Sequence, residues 1–158
     1  MEILKQWICD VCGRIIDNTG LVVWNASMYP DNDDEKYFKY KIVHPSGAFD
    51  EHGNQYGCDY DHSNYPLSGH LSWFLGGEGL SNLLAMIDVG PLHRDEYEEQ
   101  ITNMRDFLEL FRRVQLPYYE EARLYWEEAR RDGYFDGASE VWAYLPRTLE
   151  NLIKSYKI

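Results

Sequence analysis

Apolar and polar positions change their spacing near the middle of this chain, and that change divides it into two kinds of structure. Up to about Tyr65 the pattern alternates. In "YFKYKIVH", Phe38, Tyr40 and Ile42 alternate with Lys39 and Lys41, the period of a half-buried strand. "GRIIDNTGLVVW" reads as two further β-type runs broken at Asn18-Thr19-Gly20, which predicts a hairpin. The acidic run "DNDDE" between Tyr29 and Tyr37 reads as a solvated turn.

Beyond Tyr65 the spacing becomes helical. Leu80, Leu83, Leu84 and Ile87 fall at i, i+3, i+4 and i+7 and predict a short core-facing helix that stops at Gly90-Pro91. A longer helix is expected from about Arg94 to Val114, with Tyr97, Ile101, Met104, Leu108 and Phe111 on one face. Its acidic residues Asp95, Glu96, Glu98 and Glu99 come first and Arg112 and Arg113 last, an order that complements the helix dipole. Pro117 opens and Gly133 closes a third helix, and Pro146 opens a last one that turns Leu149, Leu152, Ile153 and Tyr156 inward. The expected fold class is therefore α+β, with a β part at 1–64 packed on a helical part at 65–158. No Ser/Gly linker separates the two, so one compact unit is expected.

Two cysteines change the picture of the β part. "WICDVCG" places Cys9 and Cys12 two residues apart with Gly13 directly after them, a turn that can aim both sulfurs at one ion. A redox pair of the thioredoxin kind would open a helix, whereas a β-type run follows here, so half of a zinc site is the better reading. The other two ligands must come from His44, His52, Cys58, His62 and His70. Cys58 is the remaining thiol, and His44 ends the "YKIVH" strand before Pro45, where a β-ribbon delivers a ligand. His62 competes with His44, because Cys58-X3-His62 is also a spacing of compact zinc modules. His52 and His70 read as ordinary surface residues.

The segments "WICDVCG", "YKIVH", "NYPLSGHLSWFLGGEGLSNLL" and above all "FRRVQLPYYEEARLYW" resemble a group of uncharacterised bacterial proteins. Members of that group begin with a zinc-ribbon-like Cys-X-X-Cys, continue with a His and a third Cys, and end in helices carrying a "PYYEEAR" sequence. The resemblance implies Cys9, Cys12, His44 and Cys58 as ligands of a structural zinc and leaves His62 over. It supplies no activity.

Composition and charge narrow the remaining possibilities. The 158 residues are 44% hydrophobic and 15% aromatic, enough for a real core without disulfides. Net charge is −12, with 5 basic against 11 acidic residues up to His62 and 10 against 16 beyond it. Such a chain is repelled by nucleic-acid phosphate, so generic DNA binding is not expected; the acidity suits solubility and a basic partner surface, and a solvated acidic exterior is the commoner reading of it. No apolar run approaches the length of a membrane span and no secretory signal is evident, so a cytoplasmic protein is expected. There three cysteines favour metal binding over disulfides.

Catalytic patterns are weak. The glycines of "FLGGEGL" match neither the dinucleotide nor the P-loop spacing and read as a turn between helices. The deaminase signature is missing. Asp59, Asp61 and His62 gather beside Cys58, which keeps a zinc hydrolase as an alternative if the metal has an open position. Arg123, Trp126 and Arg130 share a helix face and form a possible surface for a nucleotide or nucleic acid, although Glu120, Glu121, Glu127 and Glu128 in the same turns explain the arginines as salt bridges. The sequence as a whole points to a zinc-binding protein that acts by protein–protein contacts, as an inhibitor or regulator of a bacterial or phage defence or toxin system.

Overall fold

The first turn of structure is built around the cysteine pair. The computed structural model describes residues 1–29, 32–47, 49, 52–55, 57–88, 92 and 101–157. β1 (Trp7–Ile8) and β2 (Ile15–Ile16) pair antiparallel, Trp7 opposite Ile16 and Ile8 opposite Ile15. Between them Cys9 N–H donates to Arg14 O at 2.9 Å, and Gly13, at φ 71°, donates to Cys9 O at 2.9 Å. A side chain at Gly13 would force that left-handed backbone at a cost, so glycine is the residue that closes the knuckle.

The expected hairpin at Asn18-Thr19-Gly20 is a crossover instead. Its turn does form, with Thr19 N–H and Oγ1 both donating to Asp17 Oδ1, but it passes the chain from the two-stranded sheet to a second sheet. The reason lies on either side of it. Ile15 and Ile16 are already paired with β1 across the knuckle, and β3 (Leu21–Tyr29) finds β4 (Asn32–Val43) and β5 (Leu67–His70) as antiparallel neighbours, in the order β4-β3-β5. Gly20 permits the passage, because a Cβ there would lie 2.5 Å from Ile16 Cγ2.

The β3–β4 ladder runs from Leu21 opposite Val43 to Tyr29 opposite Asn32, so Asn32 to Glu35 of the acidic run continue a strand rather than forming a turn; Asp31 lies outside the described residues. A register shift between Val23 and Asn25 accompanies Lys39 at φ 57°. That bulge frees Lys39 N–H to donate to Asp106 Oδ2 at 3.2 Å. The third strand, β5, comes from beyond residue 64, so the sheet draws on both parts of the sequence division.

Helices cover this sheet. Leu71–Phe74 make one turn of 3-10 helix and lead into α1 (Gly76–Ile87), so "FLGGEGL" is a helix junction whose residues from Gly76 onward are helical. Gly79 sits against the Phe74 backbone so closely that a Cβ would fall 2.1 Å from its carbonyl carbon. In α1 only Leu83 of the expected stripe is fully buried. Leu80 and Leu84 are exposed, because the helix meets the core through Gly79 and Leu83.

α2 (Met104–Gln115) is shorter than expected and turned by one position. Ile101 bridges Tyr37 in a parallel pair, and Asn103 caps the helix by accepting from Asp106 N–H at 3.2 Å. Arg94 to Gln100 lie outside the described residues, as do Gly90 and Pro91. The buried face of α2 is Phe107, Leu110, Arg113 and Val114, while Met104 and Leu108 are exposed. Arg113 decides the rotation, since its charge has partners on the inside.

The last helices form a second cluster. The single helix expected from Pro117 to Gly133 is three pieces: α3 (Tyr119–Ala122), a 3-10 turn at Arg123–Tyr125, and α4 (Trp126–Arg131). Tyr118, at φ 68°, turns the chain after Pro117. Gly133 ends α4 as expected, at φ 77°, with Tyr134 N–H returning to Ala129 O at 2.9 Å. α5 (Glu140–Ala143) and α6 (Pro146–Tyr156) follow, and α6 has proline in its first turn and buries Leu149, Leu152 and Ile153.

Among the described residues two apolar cores result. The first runs from Trp7, Ile16, Val22, Val23, Ile42 and Val43 through Leu71 and Leu83 to Phe107, Leu110 and Val114, joining knuckle, sheet, α1 and α2. The second packs Tyr119, Ala122 and Ala129 on Leu149, Leu152 and Ile153, with a surround of aromatic rings. Truncating a fully buried side chain such as Trp7, Phe107 or Leu152 to alanine costs about 2–5 kcal/mol, a large share of the stability of a domain this size.

Candidate metal centre

Cys9, Cys12, His44 and Cys58 each bring one ligand atom to a single point, and those four atoms lie within 4.8 Å of one another. The knuckle supplies the first two. β4 ends at Val43 and delivers His44, and the segment after Gly57 brings in Cys58. Cys9, His44 and Cys58 are buried, and Cys12 is exposed.

The separations suit one tetrahedral ion. Cys9 Sγ and Cys58 Sγ are 3.4 Å apart, and His44 Nδ1 stands 3.4 Å from Cys12 Sγ and 3.6 Å from Cys58 Sγ. Around zinc at ordinary bond lengths, two sulfurs lie about 3.8 Å apart and a sulfur and a nitrogen about 3.6 Å. His44 is also set in the right tautomer. Its Nε2 is 3.1 Å from Ile15 O, which can only accept, so Nε2 carries the proton and Nδ1 turns a lone pair toward the three sulfurs. The carbonyl that fixes the ring belongs to β2, beside the knuckle itself.

Charge at the site follows from its surroundings. Burial opposes ionisation of Cys12, but the Arg14 guanidinium and backbone N–H, then the Cys58 and Cys9 thiols, hold it down at about 6. Arg14 Nε is 3.4 Å from the sulfur. Cys58 is pushed up to about 12, first by burial and then by the neighbouring Cys9 and Cys12 thiols. Three thiols crowded in this way are deprotonated together only by a cation placed among them, which is the condition a divalent metal supplies.

The remaining candidates lie elsewhere. His62 is exposed and its ring rests against Tyr60 at 4.2 Å. Asp61 is engaged in its own turn, accepting from the Ser63 and Asn64 backbone and from Asn64 Nδ2. His70 stands edge-on to Trp73, and His52 lies in an exposed turn. Trp126 is packed between Phe135 and Tyr144, at 4.6 and 5.5 Å, while Arg130 pairs with Glu127 at the surface. Arg123 binds Glu120 through Nε and the second guanidinium nitrogen, each at 3.0 Å. The three residues of the possible nucleotide surface thus have three different sets of neighbours.

Sequence reasoning missed the residues that tie the centre to the helices. Asp10, between the two knuckle cysteines, exchanges hydrogen bonds with Ile42 (Asp10 N–H to Ile42 O, 2.9 Å; Ile42 N–H to Asp10 Oδ2, 2.7 Å). The same carboxylate accepts from buried Arg113 at 2.6 Å. Arg113 also forks onto Glu120, Nε to Oε2 at 2.7 Å and NH2 to Oε1 at 2.9 Å, and reaches Ile8 O at 3.0 Å. Glu120 returns to β1 by accepting from Ile8 N–H at 2.9 Å, and Trp7 Nε1 donates to Arg113 O at 3.0 Å. The one sequence signal was the identity of Asp10, an acid inside the Cys-X-X-Cys turn.

Compared with protein-family models, curated proteins and solved structures, the chain finds no match. Among the described residues no helix is long and apolar enough to cross a membrane.

Proposed function

We propose that this chain is a small zinc-binding protein whose metal is structural and which acts through protein contacts, as an inhibitor or regulator of a larger bacterial or phage assembly of the defence or toxin kind. The observation that carries the zinc reading is the convergence of Cys9, Cys12, His44 and Cys58 within 4.8 Å. Three thiolates and one imidazole fill a tetrahedron, leaving no corner for water, and their negative charge makes the ion a poor Lewis acid. The ion fastens the knuckle, the end of β4 and the segment around Cys58 at one point. The net charge of −12 suits a basic protein face as partner and opposes nucleic acid.

Cobalt substitution tests the structural reading against the hydrolase alternative. A closed site with three sulfurs and one nitrogen gives an intense tetrahedral cobalt spectrum that added azide leaves unchanged. A spectrum that shifts with azide reveals an open position and overturns the reading. Crosslinking of the zinc-loaded chain in extract of its native host tests the partner. A protein retained by the wild type and lost with Cys9→Ser supports it, and an RNA or DNA retained instead contradicts it.

A further inference from the structure

We propose that the Cys9, Cys12, His44, Cys58 centre is a peroxide-sensitive switch, in which oxidation at Cys12 expels the zinc and loosens the docking of the knuckle on α2. The proposal rests on the zinc reading above. Its basis is the unequal exposure of three sulfurs that share one site. Cys9 and Cys58 are 2% and 4% exposed, whereas Cys12 is open to solvent. A small oxidant therefore reaches one zinc-bound thiolate and not the other two.

The geometry beside Cys12 serves both halves of such a reaction. The Cys12 thiolate attacks one oxygen of hydrogen peroxide, the S–O bond forms, the O–O bond breaks, and hydroxide leaves to become water. Arg14 Nε, 3.4 Å from the sulfur, is placed to donate to the departing oxygen. A buried thiolate, Cys58 or Cys9, then attacks the sulfenic sulfur. The S–S bond forms, the S–O bond breaks, and a second hydroxide leaves and is protonated. Two thiolates have each lost one electron, and both peroxide oxygens end as water. The resolving sulfur is within 4.8 Å, so only a small movement brings it to the disulfide length of about 2.05 Å. Disulfide sulfurs are weak donors, so zinc is left with one thiolate and His44 and is released.

Release is transmitted because the knuckle is not a free loop. Asp10 lies between Cys9 and Cys12 and holds Arg113 of α2 at 2.6 Å, and Trp7, fully buried, donates to the Arg113 carbonyl. A disulfide that redraws the knuckle moves Asp10 and with it the anchor of Trp7.

The test treats the zinc-loaded full chain with hydrogen peroxide and follows free zinc with a chromophoric chelator, thiols by differential alkylation and mass spectrometry, and amide exchange in β1, β2 and α2. The expected result is one zinc released per disulfide, Cys12 present in that disulfide, faster exchange in β1 and α2, and recovery on adding a thiol reductant with zinc. Zinc and three alkylatable thiols persisting under peroxide overturn the switch. Cys12 found as sulfinic or sulfonic acid without a disulfide, or zinc release with exchange in α2 unchanged, overturns it equally. A chain that carries no zinc before peroxide is added fails the zinc reading itself and takes the switch with it, whereas a chain that carries zinc and keeps it fails the switch alone.

Discussion

Arg113 NH1 lies 2.6 Å from Asp10 Oδ2, which joins the last turn of α2 to the residue between the two knuckle cysteines. Both side chains are largely withdrawn from water, at 5% and 19% exposure, so the pair is screened little by salt. It does not stand alone. Glu120 neutralises the rest of the guanidinium, and Arg123 reaches Glu120 and, at 3.6 Å, Asp10. Two arginines and two carboxylates balance in charge, which is what allows them to sit beneath the cysteine knuckle.

Replacing Arg113 with methionine should lower stability by about 3–5 kcal/mol, since it keeps the stem's packing but leaves Glu120 buried with only Arg123 as counter-ion. Equilibrium urea unfolding with zinc present measures this. The same variant should lose zinc faster to a competing chelator than wild type, because Asp10 no longer steadies the knuckle. An unchanged unfolding midpoint would mean that the network contributes nothing net.

Acid should act through Glu120. Burial alone would raise its carboxyl pKa, but the Arg113 hydrogen bonds and charge, followed by those of Arg123, outweigh burial and hold it below the usual carboxylate range. A carboxyl depressed on folding stabilises the protein fully above its unfolded value, about 4.3, and that contribution is lost as pH falls through the folded value. Wild type should therefore exceed Glu120→Gln in stability by a constant margin above about pH 5, and the margin should shrink below about 4.3. Zinc release followed in parallel on both chains separates this effect from metal loss in acid. Chemical unfolding of the two from pH 7 to 3 checks it, and a margin that grows in acid would contradict the assignment.

Removing the metal should act on one core and spare the other. Trp7, Ile16, Ile42, Phe107 and Val114 share a cluster with Cys9 and Cys58, so chelation should speed amide exchange in β1, β2, the end of β4 and α2 together. α3 and α6 pack in a separate cluster and should keep their protection. Hydrogen exchange before and after chelation reads both outcomes. Equal loss in α6 would show that the two cores melt as one unit.

The Cys/His cluster was legible in the sequence because candidate metal ligands are confined to few residue types. A cysteine pair at fixed spacing, a third thiol and a histidine at a strand end leave few arrangements, and His44 and Cys58 arrive where the pattern indicates. Helix punctuation was legible too, at Pro146 and Gly133. What escaped was whatever depends on a partner distant in sequence. β5 is four residues long and has no pattern of its own, and Ile15 and Ile16 could equally have paired forward with Leu21 to Trp24. Arg113, at a helix end, reads as a surface cation, and only its three-dimensional neighbours Asp10 and Glu120 make it a buried one. The same oversight turned α2 by one position, exposing Leu108 and burying Phe107 and Leu110.

The central claim is that Cys9, Cys12, His44 and Cys58 hold one zinc ion and leave it no open position. Zinc-edge X-ray absorption on the purified chain, with elemental analysis of the same sample, tests it most directly. The account predicts one zinc per chain, three sulfurs at about 2.3 Å and one nitrogen at about 2.0 Å, with the nitrogen lost in His44→Ala and retained in His62→Ala. A chain without stoichiometric zinc, a water or carboxylate oxygen in the shell, or a nitrogen that disappears with His62 instead would contradict it.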